Sequence, residues 1–119
     1  QDIEMLYRKL LKDIDGLDLM GLPGSGEISG HHLFTVLLPK KVKRDAVLVK
    51  MQKNGVGCAV NYRAVHTLSY FKKTYGYKPE DFPVAHEIGE RTITLPIYPK
   101  LSKEEVRKVC LVLKKVLLR

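Results

Sequence analysis

No apolar stretch in this sequence approaches the ~18 residues that a membrane-crossing helix needs. The N-terminus, QDIEMLYRKLLKDID, is charged and periodic and lacks a signal-peptide hydrophobic region. Cysteine is scarce. Cys58 and Cys110 stand far apart, outside any CxxC pair. That excludes a disulfide framework and a thiolate zinc site, leaves a single bridge as the one disulfide to consider, and suits a reduced cytoplasmic protein. HExxH is missing, and His31 and His32, as strand neighbours, point to opposite faces, so no metal site is expected. Gly24-Ser25-Gly26 is followed by no GK[ST] and is not a phosphate loop. Neither a repeat nor a low-complexity tract is present. Acid is short in one region: from Lys40 to Lys78 ten Lys or Arg accompany a single acid, Asp45. With a net charge of +8 on the chain, this bias favours an anionic partner such as phosphate, nucleotide or nucleic acid. A plainly solvated basic surface is the alternative.

What is present suits one folded domain of 119 residues with 45% apolar content. Ile3, Leu6, Tyr7, Leu10, Leu11 and Ile14 recur at three and four, which predicts an amphipathic helix over 2–14 that ends near Gly16. GLDLMGLPGSGEISG reads as a turn-rich loop. The run 32–38 before Pro39 predicts a strand, and a second helix follows from Asp45 to a stop at Asn54-Gly55. Residues 56–61 predict a short strand, 64–74 a helical turn or two, 84–89 a short helix and 92–95 a strand ending at Pro96. Phe82 beside Pro83 reads as a buried anchor. Ser102-Lys103-Glu104-Glu105 is a capping box that opens a final helix with Val106, Val109, Cys110, Leu113, Val116 and Leu117 as its inward stripe. The expected architecture is α/β, a short sheet of about three strands packed with helices, which cover one face and leave the other to be shielded by something else.

Chemistry concentrates in VNYRAVHTLSYF. Asn61, Tyr62, Arg63 and His66 fall within six residues, just after a predicted strand. Arg offers a rigid donor fork to phosphate or carboxylate, while Tyr and His add hydrogen bonds and flat surface. These four are the candidate substrate-binding rim, weighed against a satisfied polar surface. Tyr62, Tyr70 and Phe71 with Arg63 and Lys72 also resemble a base-stacking surface, although no nucleic-acid-binding motif accompanies them. A Cys58–His66 nucleophilic pair competes with Cys58 as a small packing residue. Glu87 and Glu90 as an acid–base pair compete with a solvated helix face. No lysine stands out as an imine former, and no general base is isolated, so no catalytic residue is assigned.

NGVGCAVNYRAVHTLSYF and YGYKPEDFPVAHEIGERTITLPIYPKLSKEEVRKVCLVLKKVL closely resemble the C-terminal part of the DegT/DnrJ/EryC1/StrS family of nucleotide-sugar aminotransferases. HHLFTVLLP, RDAVLVKMQKNGVG and the opening QDIEMLYRKLLKDIDGLDL extend the resemblance over nearly the whole chain. It implies the small C-terminal domain of a fold type I pyridoxal-phosphate transferase, with residues 1–16 as a linking helix. It also implies a missing large domain that carries the cofactor lysine and the phosphate-binding groups. No cofactor is then expected on this chain alone, which is expected to be inactive. The intact enzyme is expected to be a cytoplasmic homodimer that moves an amino group from glutamate to a keto group on a nucleotide-diphosphate sugar, for surface polysaccharides such as lipopolysaccharide or for related sugars. By resemblance Tyr62 and His66 line the sugar or the cofactor's outer face, Arg63 is a candidate for the diphosphate, and Asn61 stands where relatives often carry His. A first residue that is Gln rather than Met favours truncation or processing. Two other readings stay open: a free-standing nucleotide- or protein-binding module, and a small basic nucleic-acid-binding domain.

Overall fold

The computed structural model describes residues 1–118. Helix α1 (Asp2–Leu11) carries Asp2 and Glu4 in its first turn and Arg8 and Lys9 in its last, each favourable to the helix dipole. It stops three residues short of the predicted Ile14. The turn that follows includes Gly16 at φ +72°, a conformation in which a helix cannot continue. Strand β1 (Asp18–Leu19) lies inside what the sequence marks as loop, and β2 (Phe34–Leu37) follows. Helix α2 (Arg44–Lys53) ends at Asn54, with Gly55 at φ +76° as its stop. A 3-10 turn (Val65–Thr67), α3 (Ser69–Tyr75), a second 3-10 turn (Pro79–Asp81) and α4 (Pro83–Arg91) lead into β3 (Thr92–Leu95). Helix α5 (Lys103–Leu117) closes the order, and its capping box forms as expected: Glu105 N–H donates to Ser102 Oγ, and Ser102 N–H donates to Glu105 Oε2 at 2.7 Å.

The three strands form one antiparallel sheet in the order β1-β2-β3. Phe34 pairs with Leu95 and Val36 with Ile93, so four apolar side chains share one face. They join Tyr7 and Leu11 of α1, Val47 and Met51 of α2, and the inward stripe of α5 in one contiguous core. Each such side chain contributes roughly 1.5–3 kcal/mol on burial. The Tyr7 ring stacks on Phe34 with centroids 4.8 Å apart, and its hydroxyl donates to the Pro96 carbonyl at 2.7 Å. Of the predicted α5 stripe, only Leu117 is not fully buried.

The opposite face carries Thr35, Leu37, Thr92 and Thr94. The strand expected over 56–61 reduces to one antiparallel bridge between Ala59 and Thr94. Its neighbours in the ladder are disabled. Pro96 has no N–H to offer, and the Thr92 N–H is spent on the Ile88 carbonyl as the α4 cap. The long loop between β1 and β2 is tied down by α1: Arg8 Nη1 donates to the Met20 carbonyl at 2.8 Å, and Glu4 Oε2 meets His31 Nδ1 at 2.6 Å.

Candidate substrate-facing rim

Residues 61–67 cross the C-terminal end of α4 and the start of β3. The Asn61 carbonyl accepts from Thr92 Oγ1 at 3.4 Å. Three residues on, Ala64 is buried against Gly89 of α4. A Cβ built on Gly89 would stand 2.5 Å from the Ala64 amide nitrogen, so only glycine lets the two backbones meet. The Ala64 carbonyl then accepts from Thr67 N–H at 3.0 Å and Thr67 Oγ1 at 2.7 Å. Between these fastenings Tyr62 and Arg63 project outward, Tyr62 with 70% of its surface exposed.

The four rim residues do not converge. Only Tyr62 and Arg63 form an outward pair. Asn61 lines a separate recess of about 350 Å³ with His32, Cys58 and Thr94. His66 is buried, and its Nε2–H donates to the Pro79 carbonyl at 3.1 Å. That bond fixes the tautomer and ties the 3-10 turn at Pro79 to the rim. His66 also forms one wall of a groove of about 620 Å³ whose other walls include Val65, Phe71, Tyr75, Tyr77 and Phe82. The Phe82 ring meets His66 edge-on at 5.0 Å, yet Phe82 is 47% exposed rather than the expected buried anchor. Pro83 begins α4 and leaves Phe82 outside the helix, on the groove lip. His86 lies 6.4 Å from His66, ring to ring, and its buried Nδ1 has no hydrogen-bond partner. Sequence reading missed this groove. The spacing of Phe71, Tyr75 and Tyr77 was the available signal, but only the packing of α3 on the 3-10 turn Val65–Thr67 and of α4 on the turn Pro79–Asp81 makes it concave.

Other chemistry is spent elsewhere. Burial pushes the thiols of Cys58 and Cys110 up to about 11, which works against a thiolate nucleophile, and neither cysteine is bridged. Glu87 is engaged by Lys40 and Arg91, and hydrogen bonds from both hold its carboxyl below the usual range. Arg91 is buried and donates to the Leu38 carbonyl, Glu87 and Asp18, which locks the end of α4 to β1 and β2. Among the described residues no three His, Cys, Asp or Glu converge as metal ligands.

The model of the DegT/DnrJ/EryC1/StrS aminotransferase family matches residues 1–114. The chain belongs to this family. Similar proteins include the spore coat polysaccharide biosynthesis protein SpsC of Bacillus subtilis, 29% identical over 92% of this chain and 29% of its own length. The dTDP-4-dehydro-2,3,6-trideoxy-D-glucose 4-aminotransferase of Saccharopolyspora spinosa is 28% identical over 92% of this chain and 27% of its own. Among solved structures, the aminotransferase TlmJ of Streptoalloteichus hindustanus superposes with a TM-score of 0.85 at 25% identity, covering 98% of this chain and 30% of that one. The chain thus spans about 30% of the length of the relatives it matches.

The family implies pyridoxal phosphate. That cofactor needs a lysine amine held in a closed site and a cradle for its phosphate. Among the described residues every lysine is exposed except Lys114, which is half-buried beside Leu10, Cys110 and Leu111 on the far helices. No lysine lines the groove of His66 or the recess of Asn61. The residues of this chain do not by themselves fit the cofactor.

Proposed function

We propose that this chain is the small C-terminal domain of a nucleotide-sugar aminotransferase, and that its Tyr62–Arg63 pair faces the nucleotide-diphosphate sugar. Residues 1–119 act as one unit, with 1–16 leading in from the polypeptide that holds pyridoxal phosphate and its lysine. The amino group comes from glutamate and passes to a keto group of the sugar. The carrying observation is the outward pair itself: a guanidinium and a phenol, side by side, on a backbone fastened immediately before and after them. Arg63 supplies the bidentate fork that a diphosphate oxygen accepts from. Tyr62 supplies a flat face and a hydroxyl beside it. His66 stiffens the rim through Pro79, and Asn61 presents its side chain toward the neighbouring recess. The aromatic groove between α3 and α4 takes the remainder of the enzyme, which accounts for large apolar side chains left uncovered here. In the intact homodimer the rim closes the cleft, and its basic surroundings attract the anionic substrate.

Titration of the isotope-labelled chain with uridine and thymidine diphosphates tests the reading. The amides of Tyr62 and Arg63 are expected to shift, and Arg63→Ala to abolish the response. Shifts spread evenly over the surface lysines, with none at the rim, would sink it. The chain alone is expected to catalyse no transamination, and to keep no imine absorbance after incubation with pyridoxal phosphate and dialysis.

A further inference from the structure

Arg44 opens α2 with its side chain buried. A guanidinium there sits at the positive end of its own helix, so its position is maintained by other contacts. Its Nε donates to Asp45 Oδ1 at 2.9 Å, and its Nη1 donates to the Gly89 carbonyl. Gly89 lies in the last turn of α4, where carbonyls have no amide of their own helix to accept from. The cation therefore satisfies an orphan carbonyl and complements the negative end of α4. The same glycine is the one whose Cα meets the Ala64 backbone. Ala64 directly follows Arg63.

We infer that Arg44 is a positioning residue: through Gly89 and Ala64 it sets the direction in which Tyr62 and Arg63 leave the surface. It lies beneath the rim, its side chain buried and its guanidinium held against α4. Its importance for binding rests on the reading of the rim as a substrate contact. Its mechanical role does not. The order of the contacts makes the inference specific. Arg91, also buried, fastens the end of α4 to β1 and to the residue after β2, whereas Arg44 fastens the one turn of α4 on which the rim rests.

Amide exchange in the chain carrying Arg44→Met, Arg44→Lys or Gly89→Ala tests this. Arg44→Met is expected to speed exchange at Thr67 and Leu68 by at least about tenfold while Leu38 and Thr94 keep their protection. Arg44→Lys, which retains a cation for the Gly89 carbonyl, is expected to recover part of it. Gly89→Ala, which leaves Arg44 untouched, is expected to loosen the same two amides by pushing Ala64 away. Should Arg44→Met unfold the chain, Arg44→Lys decides for the arginine and Gly89→Ala for the contact it acts through. Unchanged exchange at Thr67 and Leu68 in Gly89→Ala, or in a folded Arg44→Met, overturns the inference. Inorganic pyrophosphate, added to each variant, separates the two readings. A loosened rim with no pyrophosphate response even in the unaltered chain removes the substrate reading and leaves the role of Arg44 standing. A pyrophosphate response at the rim, together with unchanged exchange at Thr67 and Leu68 in every folded variant, does the reverse.

Discussion

Behind the sheet, α1, α2 and α5 bury Tyr7, Leu11, Met51 and Leu113 completely, whereas between residues 62 and 88 Tyr62, Val65, Tyr70, Tyr75, Val84 and Ile88 all remain exposed. Both regions are rich in large apolar side chains. The first closes on itself, because each helix presents its stripe to a sheet face whose own residues alternate in phase with it. The second is a run of short helices joined by 3-10 turns, and such pieces cannot wrap around one another to hide what they carry. Individual hydrogen bonds fasten it: His66 to Pro79 within the region, and Arg44 to Gly89 and Arg91 to Leu38 at the end of α4 that carries it. Stability in the first region comes from area removed from water. Shape in the second comes from individual hydrogen bonds to backbone carbonyls left unpaired by helix and strand ends. An arm held in this way keeps its form while its apolar surface stays available to the polypeptide that we propose completes the enzyme.

Substitutions break this contrast at different depths. Leu113→Ala, in the closed region, is expected to cost about 2–5 kcal/mol in urea unfolding, and a loss near zero would mean that the core collapses around the gap. Arg91→Met removes a buried donor to the Leu38 carbonyl and is expected to cost about 1.5–3 kcal/mol, measured the same way. Ser102→Ala removes the cap of α5 at about 1 kcal/mol, with Ser102→Gly costing less. A change in slope comes next. Burial pushes the Glu4 carboxyl up, but hydrogen bonds from Arg8 and His31 outweigh it and leave its pKa below the ordinary 4.5. The folded state therefore binds this proton less readily than the unfolded chain. The resulting stabilisation is fully present above pH 4.5 and is lost as pH falls through the lower folded value. Glu4→Gln should flatten the acid limb of the stability–pH curve, and an unaltered limb would count against the clamp. Tyr62→Ala is expected to move stability by less than ~0.5 kcal/mol, which separates a rim residue from a core residue by thermal melting alone.

Helix positions followed closely from periodicity and punctuation. The Ser102 capping box, the Asn54-Gly55 stop and the Val106–Val116 stripe are local codes, and each lies where its residues point. Strands fared differently. The count of three was right, but the membership was not: two residues in a glycine-rich loop, Asp18 and Leu19, pair with β2, while 56–61 contributes a single bridge. Pairing depends on what the partner strand can still donate, and Pro96 and the committed Thr92 amide decided that from a distance in sequence. The rim shows the same division. Its residue types were evident in Asn61, Tyr62, Arg63 and His66, but their directions were not.

Local chemistry in this chain was enough to mark helices, caps, a basic middle and a family. It could not reveal that Gly89 is where α2, α4 and the rim meet, since glycine has no side chain to advertise the contact. Nor could it turn His66 inward or leave Tyr62 in water. Those outcomes depend on which unpaired carbonyls and free surfaces remain once distant segments have packed, and that is a property of the assembled backbone.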